Sequence, residues 1–220
     1  MLDLLLPQRC VVCAAHGAHV CSGCTAGLRR VASPLCERCG APTVWPVRRC
    51  RECAGRRLAF ASARAAVEYD EAARAIVAAW KERGLRGLAG WAAGVVADTL
   101  PLPLVDCVTY VPADAERRLK RGHHSAERLA RLLARRWELP VEALLRRTRS
   151  LPRQRGLDQV ERRRNVRGAF APQTTVPRRI LLVDDVYTTG ATANAAASAL
   201  RAGGATTVCV ATFARAIRVR

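Results

Sequence analysis

Residues 180–192 read Ile180-Leu181-Leu182-Val183-Asp184-Asp185-Val186-Tyr187-Thr188-Thr189-Gly190-Ala191-Thr192. Four apolar residues typical of a buried strand come first. Two adjacent carboxylates follow, then a turn of small and hydroxyl-bearing residues, then an alanine-rich helix start. Backbone N–H groups at such a helix N-terminus bind phosphate, and the threonine hydroxyls add donors. Because carboxylates repel phosphate and suit sugar hydroxyls or a metal ion, the run predicts a sugar-phosphate site.

The same run resembles the phosphoribosyl-diphosphate signature of type I phosphoribosyltransferases. The resemblance implies that Asp184 and Asp185 are the catalytic pair and hold the ribose 2′- and 3′-hydroxyls. It also implies that the 5-phosphate lies on a loop formed by Val186, Tyr187, Thr188, Thr189, Gly190, Ala191 and Thr192. An ordinary strand, turn and capped helix is the competing interpretation. The order of the residue types argues against it.

The length and composition indicate a folded protein with one full domain and a small one. The chain has 220 residues, and half of them are hydrophobic. Its longest apolar runs are too short to span a membrane. The first seven residues lack the basic region and the apolar stretch of a secretory signal. We therefore expect a cytoplasmic protein without membrane insertion.

The chain is strongly basic, with a formal net charge of +19. All but two of the 37 basic residues are arginine, which is typical of a GC-rich genome. That bias does not explain why basic residues outnumber the 18 acidic residues twofold. Residues 117–167 alone carry 17 basic and five acidic side chains, a net charge of +12. A solvated helical face is one interpretation, and we favour contact with phosphates.

Eight of the ten cysteines form four Cys-x-x-Cys motifs in the first 53 residues. The motifs are Cys10/Cys13, Cys21/Cys24, Cys36/Cys39 and Cys50/Cys53. Each motif lets two thiolates from one tight turn bind the same ion, so four motifs supply two tetrahedral zinc sites. Disulfides would need an oxidising compartment. Because this head is too small to hold a core unaided, its zinc is predicted to be structural.

The pairing of the four motifs is open from the sequence. A sequential arrangement places the first two motifs on one ion and the last two on another. An interleaved arrangement joins the first with the third and the second with the fourth. His16 and His19 lie between motifs and either replace a thiolate or are ordinary loop residues. Cys107 and Cys209 lie in apolar runs and are expected to be buried free thiols.

After Phe60, helical patterns alternate with apolar strands. This alternation predicts an α/β fold whose mostly parallel sheet has helices on both faces. Strands are expected over Ala61–Tyr69, Val105–Val111, Ile180–Val183 and Thr206–Phe213, and helices after Asp70, from Gly87 and from Ser125. Ligands of such sheets bind at the carboxyl ends of the strands. We place a boundary between a Cys-rich domain, residues 1–57, and a body, residues 58–220.

Two further segments extend the resemblance to nearly the whole chain. Val111-Pro112 precedes a basic loop that ends at Gly122, and residues 148–170 contain Gln154, Gly156, Leu157, Arg162, Asn165 and Ala169-Phe170. With the Cys-rich head, and with Leu6-Pro7 before its first motif, the chain resembles the ComF family. That family joins a zinc-binding region to a type I phosphoribosyltransferase-like domain and is associated with DNA uptake in competence. The resemblance implies phosphoribosyl diphosphate with Mg²⁺ as the ligand.

The basic loop departs from the family pattern at one point. Phe-Asn usually follows the Arg-Gly pair in the family, and His123-His124 follows it here. These histidines either donate to pyrophosphate or nucleic acid when protonated, or have a packing role. In the same loop Arg117, Arg118, Lys120 and Arg121 are candidates to bind pyrophosphate. Gln154, Arg162 and Asn165 are candidates for a lid.

Three functional hypotheses follow. The first is an active phosphoribosyltransferase, whose acceptor, a nucleobase or an amine, no motif identifies. The second is a binding protein that grips single-stranded DNA, with a competence helicase as a partner. Trp45 in the head is able to stack on bases, whereas Trp80 and Trp91 are expected in the core. The third, drawn from the head alone, is a zinc-linked adaptor for a protein partner.

Overall fold

A central sheet of four parallel strands forms the body of the protein. The structure, a computed structural model, describes residues 8–114, 124–148 and 168–217. The strands are β1 (Ser62–Glu68), β2 (Cys107–Tyr110), β5 (Arg179–Tyr187) and β6 (Thr207–Arg215), in the spatial order β1-β6-β5-β2. Every neighbouring pair is parallel. The predicted α/β fold with a mostly parallel sheet is therefore confirmed.

Five helices accompany the sheet in the described ranges. They are α1 (Ser22–Ala26), α2 (Glu71–Lys81), α3 (Leu88–Thr99), α4 (Ser125–Arg136) and α5 (Ala191–Ala202). Helix α2 begins after Asp70 as predicted, because that carboxylate accepts a hydrogen bond from the Ala73 N–H at 3.0 Å. Across these ranges, no helix combines the length and the apolar character needed to cross a membrane.

The sheet separates two apolar layers, and strand alternation assigns its side chains between them. Leu181 and Val183 of β5 pack with helices α2, α3 and α4. Ile180 and Leu182 point to the other face and pack with helix α5. Trp80 is fully buried in the first layer. Helices thus cover both faces, as the sequence predicted.

A small antiparallel pair of strands was not predicted from the sequence. Strands β3 (Leu145–Arg147) and β4 (Phe170–Pro172) have three residues each, too few for a recognisable alternation. They pack with α5 in the second apolar layer. They also join the two ends of the segment 149–167, which lies outside the described residues.

Strand β5 is longer than predicted. The apolar run ends at Val183, but the ladder with β6 continues through Asp184↔Thr212 to Tyr187↔Arg215. Backbone pairing with a long neighbouring strand therefore extends β5 through both carboxylates. Both acids consequently lie in strand geometry at the carboxyl end of the sheet, directly before the turn.

The Cys-rich head packs against the body at two places. Val20 and Leu28 join the first apolar layer, and the Trp91 Nε1–H donates to Thr25 Oγ1 at 3.2 Å. The later part of the head joins the second layer through Cys36, Cys39 and Cys53. The head thus contributes side chains to both apolar layers of the body.

Candidate functional site

The turn after β5 is shaped to receive an anion. Gly190 has φ +71° and ψ 10°, a left-handed conformation that favours glycine. The Thr189 hydroxyl accepts the Ala191 N–H at 3.3 Å. Gly190, the N-cap of α5, has no side chain to accept the next N–H groups. These donors and the positive end of the helix therefore face the space above the turn.

A cleft beside this turn brings several predicted residues together. It is lined by Asp184, Val186, Tyr187, Thr188, Gly190, Ala191, Thr192, Ala193 and Thr212. Thr212 was not recognised in the sequence, because it is one threonine in an apolar strand. Its position opposite Asp184 in the β5–β6 ladder brings it there.

Asp185 is held by two side chains from distant parts of the chain. Lys81 Nζ, at the end of α2, lies 2.6 Å from Asp185 Oδ1. The Ser125 hydroxyl, in the first turn of α4, donates to Asp185 Oδ2 at 2.7 Å. Burial alone would raise the pKa of Asp185, but the charge and hydrogen bond of Lys81, with Ser125, outweigh it and lower the pKa. Asp185 is therefore a carboxylate whose two oxygens both have partners.

Asp184 lies in a different environment although it is the adjacent residue. Its Oδ1 accepts the N–H of Asp185 at 2.9 Å. Burial, and then the negative charge of Asp185, raise its pKa to about 7, although Lys81 partly offsets this. Asp184 also lines the cleft at the turn, so its raised pKa favours a protonated carboxyl there more than at an ordinary aspartate.

Lys81 and Ser125 are site residues that motif reasoning missed. Ser125 was recognised only as a helix start. Lys81 did carry a signal, because it is one of only two lysines in a chain with 35 arginines. The contact of Lys81 with a buried carboxylate gives a structural reason why this position has lysine in a chain that otherwise favours arginine.

The eight cysteines of the head form two groups. One comprises Cys10, Cys13, Cys21 and Cys24, and the other Cys36, Cys39, Cys50 and Cys53, with all Sγ atoms of a group within 4.8 Å of one another. The first two Cys-x-x-Cys motifs thus form one group and the last two form the other, which is the sequential arrangement. His16 and His19 belong to neither group. We call them the first and the second cluster.

The sulfur spacing fits tetrahedral zinc. Neighbouring Sγ atoms lie 3.6 Å apart in the pair Cys13–Cys21, 3.6 Å in Cys36–Cys53 and 3.4 Å in Cys39–Cys50. A zinc ion with Zn–S bonds of about 2.3 Å separates its ligands by about 3.8 Å. Burial raises the pKa of Cys36, but N–H groups of Cys39, Cys50 and Arg38 outweigh it and lower the pKa to about 7. The N–H groups thus stabilise the thiolate of Cys36, whereas burial raises the pKa of Cys53 to about 11.

A basic groove lies on the second half of the head. It has a volume of about 510 Å³ and is lined by Glu37, Arg38, Arg48, Arg49 and Ala61. Trp45, three residues before Arg48 in the chain, is 66% exposed. Trp80, by contrast, is fully buried, and Trp91 packs edge-on against Phe213 at 5.7 Å. Trp45 is therefore the tryptophan of these three that is able to stack on a base.

His124 has a packing role in the structure. Its side chain is only 11% exposed, and its ring packs against that of Tyr110 with 5.3 Å between centroids. Its Nδ1 lies 3.4 Å from Glu127 Oε2. Burial lowers its pKa, although Glu127 opposes this. His123 lies outside the described residues.

The remaining predicted ligand residues also lie outside the described ranges. These are Arg117, Arg118, Lys120, Arg121, Gln154, Arg162 and Asn165. Their assignment to pyrophosphate and to a lid stays a prediction. The described residues on either side of segment 149–167 are joined by two hydrogen bonds. The Thr148 N–H donates to the Ala169 carbonyl, and the Thr148 hydroxyl donates to the Gly168 carbonyl.

The head matches a known family. The family model of the double zinc ribbon domain matches residues 1–54 of the chain. This agrees with the two four-cysteine clusters, and supports two structural zinc sites. The predicted boundary at residue 57 stays a prediction.

The whole chain is similar to proteins named for competence and DNA utilization. It is 28% identical over 225 residues to competence protein F of Haemophilus influenzae, covering 94% of this chain and 97% of that protein. It is 27% identical over 221 residues to the DNA utilization protein YhgH of Salmonella typhi, covering 93% and 96%. YhgH of Escherichia coli O6:H1 is 36% identical over 115 residues, about half of each chain. This similarity along almost the entire length of the chain, together with the N-terminal double zinc ribbon, confirms the resemblance to the ComF family that the sequence indicated.

Proposed function

We propose that this protein binds phosphoribosyl diphosphate with Mg²⁺ at the turn after β5, and acts in DNA uptake through single-stranded DNA binding. The observation that carries the first part is the open N-terminus of α5 directly after two strand-end carboxylates. The names of the relatives, competence protein F and DNA utilization protein, support the second part. Because the eight clustered thiols must stay reduced to bind zinc, we propose a cytoplasmic location.

Each part of the site has a role in this proposal. The N–H groups and hydroxyls of residues 188–192 hold the 5-phosphate. Asp184 accepts hydrogen bonds from ribose hydroxyls, while Lys81 and Ser125 hold Asp185 beside it. Mg²⁺, when bound, neutralises the pyrophosphate. The fixed donors orient the ligand without reorganising, which is the main requirement for binding or for transfer.

Calorimetric titration tests the ligand. Phosphoribosyl diphosphate with Mg²⁺ is titrated into the zinc-loaded protein, into Thr189→Ala and into Thr206→Ala. Thr206 is the control, because its hydroxyl donates to Arg178 at the opposite end of the sheet. We expect binding at millimolar or lower concentration, weakened by Thr189→Ala and unchanged by Thr206→Ala. Absence of binding to the unmodified protein rules out the ligand.

The basic groove favours single-stranded DNA as a further partner. Exposed arginines along a groove follow a phosphate backbone, and an exposed aromatic side chain stacks on bases without regard to sequence. Arg48, Arg49 and Trp45 supply both features on one loop. This is the surface of the described residues that best fits such a strand. A competence helicase is the partner we propose for loading it.

Fluorescence anisotropy with labelled oligothymidine tests this partner. The slope of log affinity against log salt is about −0.7 for each phosphate contact on single strands. The double variant Arg48→Ser/Arg49→Ser is expected to bind more weakly and to have a shallower slope. Arg178→Ser/Arg201→Ser removes equal charge from two residues that do not line the groove and serves as the control. Equal losses of affinity in the two double variants would show nonspecific electrostatic attraction. Salt-independent binding would contradict the proposal.

Transfer to a nucleobase or an amine is the second candidate function. The raised pKa of Asp184, beside the ribose position, favours it, because a carboxyl that titrates near pH 7 is suited to proton transfer. Release of pyrophosphate from phosphoribosyl diphosphate, measured with a panel of nucleobases and amines, tests it. Ligand binding without acceptor-dependent release would leave a binding protein.

A further inference from the structure

We propose that the second cluster and the phosphate-binding turn form one coupled unit, in which Arg215 and Arg56 are positioning residues. Ligand at the turn then stabilises zinc in the second cluster, and zinc in that cluster strengthens ligand binding. The first cluster takes no part. This inference rests on the proposed ribose-phosphate site.

Arg215 joins the end of β6 to the second cluster. Its side chain is almost fully buried, although it carries a charge. Its Nη1 donates to the Cys39 carbonyl at 2.5 Å, and its Nη2 lies 3.9 Å from Cys39 Sγ. Its Nη2 also lies 2.8 Å from Glu52 Oε2, beside Cys53. A buried guanidinium is costly unless it is paired, so these contacts fix its position.

Tyr187 carries the link from Arg215 to the turn. The two residues are paired in the β5–β6 ladder, and Arg215 Cζ lies 4.6 Å from the centre of the Tyr187 ring. Phe60 packs edge-on against the ring at 6.3 Å. The ring in turn lies against Gly190, since a Cβ atom there would come within 2.2 Å of the Tyr187 hydroxyl. Any shift of Arg215 therefore reaches the turn through a rigid aromatic ring.

Arg56 provides a second, separate link. Its backbone N–H donates to the Cys53 carbonyl at 3.2 Å, within the last Cys-x-x-Cys turn. Its Nη2 donates to the Thr189 carbonyl at 3.0 Å, within the phosphate-binding turn. Three residues later, the Ala59 N–H donates to Asn194 Oδ1 at 2.7 Å in the first turn of α5. The second cluster is thus connected to both sides of Gly190.

The first cluster provides an internal comparison. It lies beside α1, which is joined to α3 through the hydrogen bond from Trp91 to Thr25. The described contacts place it with the other apolar layer, on the face of the sheet opposite α5. Chelation of zinc by the added ligand would speed zinc loss from either cluster. Protection confined to the second cluster would therefore indicate coupling through the turn.

Coupling between two binding sites is reciprocal. If zinc in the second cluster raises the affinity of the turn for its ligand, the ligand must raise the affinity of that cluster for zinc by the same factor. Coupling usually amounts to a factor of about five to 150. We therefore expect the ligand to raise the affinity of the second cluster for zinc at least about fivefold, which alkylation detects as protection of its thiols.

Thiol alkylation of the full-length, zinc-loaded protein tests the inference. The protein is treated with N-ethylmaleimide with and without saturating phosphoribosyl diphosphate and Mg²⁺, and peptide mass spectrometry follows each cysteine. The expected result is slower alkylation of the second cluster and unchanged alkylation of the first. The same samples are titrated by calorimetry. Binding without preferential protection overturns the coupling alone, and absence of binding overturns the proposed function together with it.

Substitutions of arginine separate positioning from general stability. Arg215→Met is expected to reduce the difference between the clusters, and Arg215→Met/Arg56→Met to abolish it, because Arg56 is the second link to the turn. Arg64→Met is the control, because Arg64 also bridges head and body, through the Cys36 and Glu37 carbonyls, but has no described contact with the turn. Arg215→Lys keeps the charge without the forked geometry and is expected to keep part of the protection. Loss of protection in Arg64→Met as well would contradict a specific path.

Discussion

Asp184 and Asp185 are adjacent in the chain but point to opposite faces of β5. Asp185 reaches Lys81 and Ser125 on the side of α2 and α4. Asp184 lines the cleft on the side of α5. The alternation of a strand thus assigns two identical side chains to different environments. The two oxygens of Asp185 are both paired, whereas Asp184 lines the cleft.

Asp184→Asn is expected to stabilise the protein at alkaline pH. Between its ordinary pKa of 3.8 and about 7, folded Asp184 holds a proton that the unfolded chain has released. The contribution of this residue to the free energy of unfolding therefore falls as pH rises through that window. Removing the carboxyl should raise the free energy of unfolding on the order of 2–4 kcal/mol at pH 8, and little at pH 4. Urea denaturation at both pH values measures it, and a gain independent of pH would contradict this explanation.

Asp185→Asn is expected to have the opposite effect. It leaves Lys81 with 24% exposure and without its ionic partner. Breaking a buried ion pair from one side costs about 3–5 kcal/mol, and the partial exposure of Lys81 lowers our expectation to about 2–3 kcal/mol. Because the pKa of Asp185 is lowered, this stability is present above pH 4 and is lost as pH falls through the folded pKa.

A double variant checks the cause of that loss. In Asp185→Asn/Lys81→Met the ammonium group is removed together with the carboxylate that it contacts, so we expect a smaller loss of stability than in Asp185→Asn alone. Urea denaturation of the two single variants and the double variant measures the coupling. Additive losses would show that the ion pair is not responsible.

Gly190 is the residue at which strand β5, the turn and helix α5 meet. Its positive φ favours glycine, and the Tyr187 ring occupies the space of a Cβ atom. The ring has little freedom to move, because it is 4% exposed and lies between Phe60 and Arg215. The positive φ of the turn and the packing of Tyr187 beneath it therefore both require glycine at position 190.

Gly190→Ala is expected to destabilise the protein and to abolish ligand binding. The left-handed backbone alone costs about 1–2 kcal/mol for a residue with a Cβ atom, and the contact with Tyr187 adds to this. The matched control is Gly90→Ala in α3, where a Cβ meets nothing within 4 Å. That change should stabilise the helix by about 0.5–1 kcal/mol. Thermal unfolding and calorimetric titration measure both effects, and ligand binding by Gly190→Ala would contradict this role of the turn.

The sequence was informative wherever the signal is local. The run 180–192 contains a strand, a turn and a helix start in order, and the structure has them in that order. The partners of the site escaped recognition because they come from distant elements. Ser125 lies 60 positions from Asp185, and Arg56 lies 133 positions from Thr189. Nothing local distinguishes Arg56 or Arg215 from the other arginines, whereas the rarity of lysine did mark Lys81.

The two cysteine clusters are buried to different degrees in the protein. Cys39 and Cys53 are buried in the second apolar layer, whereas Cys13 is exposed. The sequence predicted two sites but left their pairing open, because spacing alone does not determine which loops meet. It also indicated no difference between the clusters, because burial depends on the packing of head against body.

Cys39→Ser and Cys13→Ser are expected to differ, although each removes one zinc ligand. Because zinc binding is coupled to folding, loss of the second cluster should loosen the layer that contains α5 and lower the melting temperature of the whole protein. Loss of the first should have a smaller effect. Zinc content by mass spectrometry and calorimetric unfolding measure both variants. Equal shifts in melting temperature would show that the second cluster is no more integral than the first.

The close approach of Gly40 to β1 has a consequence for how this protein can evolve. A Cβ atom at Gly40 would come within 2.2 Å of the Ala63 carbonyl oxygen, and the Ala63 N–H donates to the Arg38 carbonyl at 3.0 Å. The ribbon and the first strand are therefore shaped to each other at the level of the backbone. Recombination that exchanged the head for that of a distant relative would break this fit and expose the apolar layer beneath it. We expect the two parts to be inherited together, as one unit of descent and not as interchangeable modules.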